Sequence, residues 1–96
     1  MTELMSIGEF AAATWLSPKA LRLYDEKGLL SPETIDSFSG YRKYNPAQVE
    51  TARLITMLRR IDMPLEQIQE LLETAPEQRA ARITRYRERE AERHAQ

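Results

Sequence analysis

The order of apolar and polar positions along the chain predicts a mainly helical protein with one short stretch of strand. Ser6 and Glu9 are typical of a capping box, and the apolar spacing after them predicts a first helix of about two turns. Ser17-Pro18 and Lys27-Gly28 carry start and stop signals for a second helix, the reader helix. Two helices this close together are typical of a helix-turn-helix, although an ordinary helical hairpin fits these residues equally well.

The reader helix divides into two faces at about 100° per residue. The face suited to a core holds Ala20, Leu21 and Tyr24. The opposite face holds Lys19, Arg22, Leu23 and Glu26. Because the cations lie near the helix start, where a helix in a major groove meets base edges and phosphates, this outward face is a candidate DNA reader.

After the reader helix, turn residues separate two short strand candidates, Thr34-Ile35 and Tyr41–Tyr44. This pattern predicts a small two-stranded wing. In an extended chain the two cations Arg42 and Lys43 point to opposite faces, so one can meet a phosphate backbone while a tyrosine packs on the helices. The alternative is a hairpin whose tyrosines are core and whose cations are solvated; the position directly after the reader helix favours the DNA interpretation.

The rest of the chain predicts three more helices. One begins at Asn45-Pro46 and runs to about Arg60, with Met57 expected as core filler. Arg59 and Arg60 suit the helix dipole, and one of them is a candidate phosphate contact. A fourth helix runs from Leu65 to about Thr74, and a polar helix occupies residues 77–96. That last helix needs support from a partner copy or from the globular domain, and its apolar residues that could begin a coiled-coil seam are Ile83 and Tyr86.

Composition excludes several functional classes. The 96 residues contain no cysteine and one histidine, His94, so we expect no catalytic centre, metal site or cofactor. No apolar run is long enough for a membrane span and the N-terminus lacks a secretion signal, so we expect a cytoplasmic protein without a membrane partner. The net charge of −1 conceals a basic middle, since residues 17–60 carry +3 and the flanking segments −2 each.

A series of short motifs between Ser6 and Leu72 resembles the MerR family of transcription regulators. The matching residues, in order, are Ile7-Gly8-Glu9-Phe10-Ala11, Ser17, Ala20-Leu21-Arg22, Tyr24-Asp25, Gly28-Leu29-Leu30, Pro32, Gly40-Tyr41-Arg42-Lys43-Tyr44 and Pro64-Leu65-Glu66-Gln67-Ile68. The resemblance implies a winged helix-turn-helix at residues 1–75 and, at 76–96, the start of the helix that joins a homodimer through an antiparallel coiled coil. Family members bind a palindromic promoter operator and bend and untwist it for RNA polymerase, which is specificity through deformation.

Carried across residue by residue, the resemblance implies a set of DNA contacts. On the reader helix they are Ser17, Lys19, Arg22 and Tyr24; on the wing Tyr41, Arg42, Lys43 and Tyr44; and beyond it Arg60. Leu23 stands where the family often has Tyr, so an apolar contact with a thymine methyl or sugar replaces a polar one. Trp15 stands where the turn commonly has Gly, which leaves the turn geometry open.

The wing resembles the multidrug- and small-molecule-sensing branch more than the metal-sensing one. In that branch an effector domain follows the coiled coil, and a small-molecule effector would act only through such a domain, which we expect to have been truncated. The alternative function is a winged-helix protein-interaction module or an architectural module of the recombination-directionality type, without transcription activation. The acidic total charge favours these alternatives slightly.

Overall fold

The computed structural model describes residues 3–94, with the side chain of His94 outside the described set. Contacts divide the chain into two compact units, Met1–Met57 and Leu58–Gln96. The strands are β1 (Met5–Ser6), β2 (Thr34–Ile35) and β3 (Arg42–Tyr44). The helices are α1 (Ile7–Thr14), α2 (Pro18–Glu26), α3 (Val49–Arg60), α4 (Leu65–Glu73) and α5 (Pro76–His94), and one 3-10 turn, Pro46–Gln48, leads into α3. All five predicted helices are confirmed.

Side-chain caps begin the helices of the first unit where the sequence predicts them. The Ser6 hydroxyl accepts from the Glu9 amide at 3.1 Å, and the Glu9 carboxylate accepts from the Ser6 amide at 2.9 Å. The Ser17 hydroxyl accepts from the Ala20 amide at 3.0 Å. The 3-10 turn before α3 has a capping box of the same kind, formed by Asn45 and Gln48.

The sheet is antiparallel, with β3 in the middle and the strand order β1-β3-β2. Thr34 pairs with Lys43 and Ile35 with Arg42, which confirms the predicted wing strands. The prediction of two strands was incomplete, because Met5–Ser6 also pairs with β3. A two-residue strand has too few positions to show an alternating pattern, and only the paired strand beside it identifies it as one.

The core of the first unit joins α1, α2 and the sheet. Phe10 of α1 and Tyr44 of β3 are fully buried, with ring centroids 4.3 Å apart and planes inclined by 11°. Leu21 of α2 is also fully buried. Stacked aromatic pairs contribute about 0.5–1.5 kcal/mol beyond the apolar area that they bury. The contact therefore holds the middle wing strand against the first helix of the helix-turn-helix.

The face that α3 buries differs in one respect from the prediction. Ala52 and Ile55 are fully buried, but Met57 is 57% exposed, so its assignment as core filler was wrong. Thr56 is buried instead, and its hydroxyl group is 3.0 Å from the carbonyl oxygens of both Thr14 and Ala52. A polar side chain can occupy a core position when its hydrogen bonds are satisfied, and hydrophobicity alone does not reveal this.

In the second unit, hydrogen bonds to backbone carbonyls join the helix ends. After α3 the chain reverses at Asp62, which has a left-handed φ of 61°, and the Met63 amide donates to the Leu58 carbonyl at 3.0 Å. Arg59 donates to the Met63 carbonyl at 2.8 Å, which ties the end of α3 to the loop that follows it. Arg79 of α5 donates to carbonyls at the C-terminal end of α4, including that of Leu72 at 3.0 Å.

Candidate nucleic-acid interface

The reader helix α2 presents its predicted outward face to solvent. Lys19, Arg22 and Leu23 are exposed, Leu23 to 41%, while Leu21 is fully buried. Ser17 is exposed too, and its hydroxyl hydrogen can still donate while its oxygen caps the helix. The start of α2 therefore offers two cations, a hydroxyl donor and one apolar side chain together.

The C-terminal end of α2 is held by the stop signal seen in the sequence. Gly28 has a left-handed φ of 70°, the Leu29 amide donates to the Tyr24 carbonyl at 2.8 Å, and the Gly28 amide donates to the Asp25 carbonyl at 3.1 Å. These two bonds satisfy carbonyls that the helix leaves unpaired at its end. A helix fixed at both ends holds its outward side chains in a constant direction.

An ion pair joins the wing to the reader helix. Arg42 of β3 lies with its Nε 3.5 Å from the Asp25 carboxylate of α2, and both side chains are mostly shielded from solvent, at 30% and 23% exposure. The Arg42 Nε is buried and has no hydrogen-bond partner among residues 3–94, so the contact is electrostatic at this distance. Arg42 thus positions the wing relative to α2, a role that the sequence did not predict.

Burial changes the roles assigned to two of the tyrosines. Tyr24 is 6% exposed and Tyr44 fully buried, so their rings belong to the core and we remove both from the proposed contact surface. Burial, with a smaller effect of the Asp25 charge, raises the pKa of the Tyr44 phenol, whose oxygen has no hydrogen-bond partner in the part of the chain that the structure describes. The spacing on the reader helix had already placed Tyr24 on its core face, whereas the alternation along the wing strand did not show which tyrosine would face inward.

The remaining wing residues differ in their exposure. Tyr41 is 70% exposed, whereas Lys43 is half-buried. Lys43 is a minor cause of the lowered pKa of both Glu9 and Asp36, so its charge acts on carboxylates on two sides. Tyr41 is therefore the most accessible of the four predicted wing contacts, and Lys43 is a cation partly balanced by its neighbours.

The turn between the two helices contains a tryptophan in a backbone conformation that suits glycine. Trp15 has a φ of 61° and is 60% exposed. The Arg53 guanidinium carbon lies 4.9 Å from the centroid of its ring, and the Arg53 Nε donates to the Ala13 carbonyl at 2.9 Å. The turn thus has a left-handed geometry, which the sequence left open, and the Arg53 side chain of α3 packs over the Trp15 ring.

Three predicted residues lie in the second unit. Arg60 ends α3 and is exposed, and Ile83 of α5 is half-buried. Tyr86 is only 6% exposed, and its hydroxyl donates to the Asp62 carbonyl at 2.9 Å, so it already takes part in packing within its own chain. An open groove of about 650 Å³ lies between α4 and α5; α4 lines it with carboxylates, and α5 lines it with both guanidinium groups and carboxylates.

Two carboxylates matter more than the sequence predicted. Asp25 partners Arg42 from 17 positions away, and no local pattern signals such a contact. Asp36 organises the wing turn, for which an Asp followed by Ser and Gly was the available signal. Over residues 3–94 no cluster of metal-ligating side chains occurs. Within the same described range, no helix has both the length and the apolar character needed to cross a bilayer.

Comparison with known proteins gives a consistent result. The family model for the MerR HTH family regulatory protein matches residues 5–75. The chain is 44% identical over 68 residues to the transcriptional regulator BrlR of Pseudomonas aeruginosa, covering 71% of this chain and 25% of BrlR. It is 39% identical over 71 residues to the HTH-type transcriptional regulator CueR of Vibrio cholerae, covering 74% of this chain and 50% of CueR. The chain thus spans half or less of these relatives, which are named as regulators rather than enzymes.

Solved structures agree on the fold. The HTH-type transcriptional regulator SkgA of Caulobacter crescentus superposes with a TM-score of 0.66 at 31% identity, covering 99% of this chain and 70% of that one. A MerR-family transcriptional regulator of Bacillus cereus gives 0.68 at 21% identity, covering 97% and 76%. The relatives also include the heavy metal-dependent transcription regulator 2 of Rhizobium meliloti, 38% identical over 68 residues, 71% of this chain and 46% of that protein. The preference for a multidrug-sensing branch is therefore not supported.

Proposed function

We propose, from the premise that this chain belongs to the MerR family of helix-turn-helix regulatory proteins, that its reader helix binds promoter DNA in a sequence-specific manner. The observation that carries the proposal is the exposed start of α2, where Lys19 and Arg22 follow the capping residue Ser17. Arg22 reaches base edges, where a guanidinium group suits guanine, and Lys19 and Ser17 contact phosphate. Leu23 contributes an apolar contact with a thymine methyl group.

The wing extends the same surface. Because Arg42 lies 3.5 Å from Asp25 of α2, the wing strand accompanies the reader helix when that helix enters the groove. Tyr41, exposed on the wing, and Lys43 then meet the flanking phosphate backbone. Arg60 is proposed as a further phosphate contact from the end of α3. Promoter DNA as the target implies a cytoplasmic location.

The finer parts of the proposal concern assembly and regulation. The chain forms a homodimer through the α5 helix, so that two reader helices occupy the halves of a palindromic operator. Binding bends and untwists the promoter, which changes how RNA polymerase engages it. Because this chain covers 25% of BrlR and 50% of CueR, the effector would act through a region that the matched segment does not include.

Substitution of Arg22 tests the assignment of the reader helix. The operator is first obtained by selecting bound sequences from a random duplex pool. We expect Arg22→Ala to weaken binding to that operator by about 1–3 kcal/mol, or about tenfold to a hundredfold, because a guanidinium contact to a base is lost. Binding to random DNA should weaken much less. The measurement is a titration of both duplexes at two salt concentrations.

Lys27→Ala is the matched control, since it removes one exposed positive charge from the opposite end of the same helix. We expect it to leave the ratio of specific to random binding unchanged. Equal losses on operator and random DNA for Arg22→Ala would contradict the assignment of base contacts to α2. If the wild-type chain bound no duplex at about 50 mM salt, a protein-interaction module would be the better description.

A further inference from the structure

The tip of the wing carries an aromatic side chain that packs against none of the described residues of the first unit. Phe38 is fully exposed, between the exposed residues Ser37 and Ser39. An exposed phenylalanine leaves a large apolar area in contact with water, which is unfavourable compared with burial. Single exposed apolar residues are common, so exposure alone assigns no role to Phe38. Two further features indicate a role for Phe38: the ordered turn that holds it and the short connection from that turn to α2.

The turn that holds Phe38 is ordered by its own hydrogen bonds. The Asp36 carboxylate accepts from the Phe38 amide at 2.8 Å and from the Ser39 amide at 3.0 Å. These bonds hold the pKa of Asp36 below its ordinary value. Gly40, with a left-handed φ of 73°, donates to the Asp36 carbonyl at 2.8 Å. The aromatic ring is therefore presented from a fixed backbone, which reduces the entropy lost when it binds.

The connection between the reader helix and the wing tip is short compared with the spacing of the grooves in a DNA duplex. Arg42 is in contact with Asp25 of α2, and Phe38 is four residues away from Arg42 along the hairpin. Four extended residues span at most about 14 Å. Neighbouring major and minor grooves are about 17 Å apart along the axis, half of the roughly 34 Å helical repeat. The wing tip is therefore tied to α2 by less than one groove spacing, so with α2 in a major groove the DNA nearest to Phe38 is the flank of the same half-site.

We infer that Phe38 acts as an apolar wedge in the minor groove flanking each half-site, against the sugars and the edge of one base step. This inference rests on the proposed function and assigns to the wing tip a part in specificity. Apolar wedges partly unstack base steps, and pyrimidine–purine steps such as TA open most readily. The wing tip therefore selects flanks by their deformability, without a hydrogen bond to any base. Duplex DNA is the occupant because the Arg42–Asp25 pair holds the wing strand against α2, the helix whose outward face carries Lys19 and Arg22.

The test uses the whole chain and two duplexes that share one selected operator core. One duplex carries a TA step at the flank under the wing, and the other carries a stiff A-tract there. In the first duplex, 2-aminopurine replaces the adenine of the TA step. We expect Phe38→Ser to weaken binding about tenfold on the TA flank and about twofold or less on the A-tract. The wild-type chain should increase 2-aminopurine fluorescence on the TA flank, and the variant should not. Ser37→Ala, which keeps the ring, should match the wild type.

Two results would overturn the inference while leaving the proposed function intact. One is equal affinity of wild type and Phe38→Ser on both flanks, with unchanged 2-aminopurine fluorescence. The other is crosslinking of Phe38→p-benzoylphenylalanine to a second copy of the chain instead of to the flanking DNA. Failure of the wild type to bind either duplex at about 50 mM salt would overturn the proposed function, and this inference with it.

Discussion

Trp15 and Arg53 show how one residue can compensate for another at the scale of single side chains. A left-handed backbone costs about 1–2 kcal/mol for a residue with a Cβ atom, and Trp15 has this conformation at φ 61°. The Arg53 guanidinium carbon lies 4.9 Å from the Trp15 ring centroid, and such a contact at an exposed site contributes about 0.5–1 kcal/mol. The cation–π contact therefore offsets part of the backbone strain at the turn.

Two substitutions of Trp15 separate strain from contact. Trp15→Ala loses the Arg53 contact and keeps the strain, so we expect a loss of about 0.5–1 kcal/mol in the free energy of unfolding. Trp15→Gly loses the same contact but removes the strain, so it should be about 1 kcal/mol more stable than Trp15→Ala. Urea unfolding of the three proteins measures both differences. A glycine variant no more stable than the alanine variant would contradict strain at this turn.

At the scale of elements, local signals in the sequence account for the helices. The side chains that cap α1 and α2 bond to residues three positions away, Ser6 with Glu9 and Ser17 with Ala20. A local pattern of residue types is therefore enough to find these caps. The wing strands are less visible locally, because β1 and β2 have two residues each and depend on β3 for their hydrogen bonds. This is why the turn residues indicated the wing while the third strand escaped prediction.

The capping box of α1 predicts a pH dependence of stability. The pKa of Glu9 in the folded protein is below the ordinary value of 4.5, and the main cause is the hydrogen bond from the Ser6 amide. Because a lowered pKa means that the folded state favours the ionised form, the contribution is present above the unfolded pKa and is lost as pH falls through the folded one. Glu9→Gln keeps a hydrogen-bond acceptor but removes the charge. The wild type should therefore be more stable than the variant near neutral pH.

That difference should begin to diminish as the pH falls below about 4.5, where Glu9 of the unfolded chain takes up a proton, and should be lost once the pH is below the lowered pKa of the folded state. Urea unfolding of the wild type and Glu9→Gln, repeated across this pH range, measures it. Salt should reduce the effect as well, since Glu9 is exposed. A stability difference that stayed constant from neutral to acidic pH would show that the charge of Glu9 does not stabilise α1.

At the scale of the whole molecule, the proposed dimer depends on which apolar side chains of α5 are accessible to a second copy of the chain. Tyr86 is buried within its own chain, which leaves Ile83 as the more accessible of the two predicted seam residues. The helix is otherwise highly polar, so a single apolar position can account for a large part of its capacity to associate.

Sedimentation of the whole chain tests this seam. We expect Ile83→Asp to shift the equilibrium toward monomer, because a charge would be buried at the helix–helix contact. Thr84→Asp, one position further along α5 and exposed, is the matched control and should leave the mass distribution unchanged. An identical monomer–dimer equilibrium for the wild type and both variants would exclude Ile83 from the interface.

The sequence by itself determined what depends on neighbours along the chain: the helices with their caps, the left-handed stop at Gly28, and the outward face with Lys19 and Arg22. The tertiary structure decided which side chains are accessible and which distant groups meet. It placed Tyr44 against Phe10, paired Arg42 with Asp25, and exposed Met57 while burying Thr56. The physical reason is range: caps and helix faces arise from contacts within about one turn, whereas burial and ion pairing depend on elements that the fold brings together.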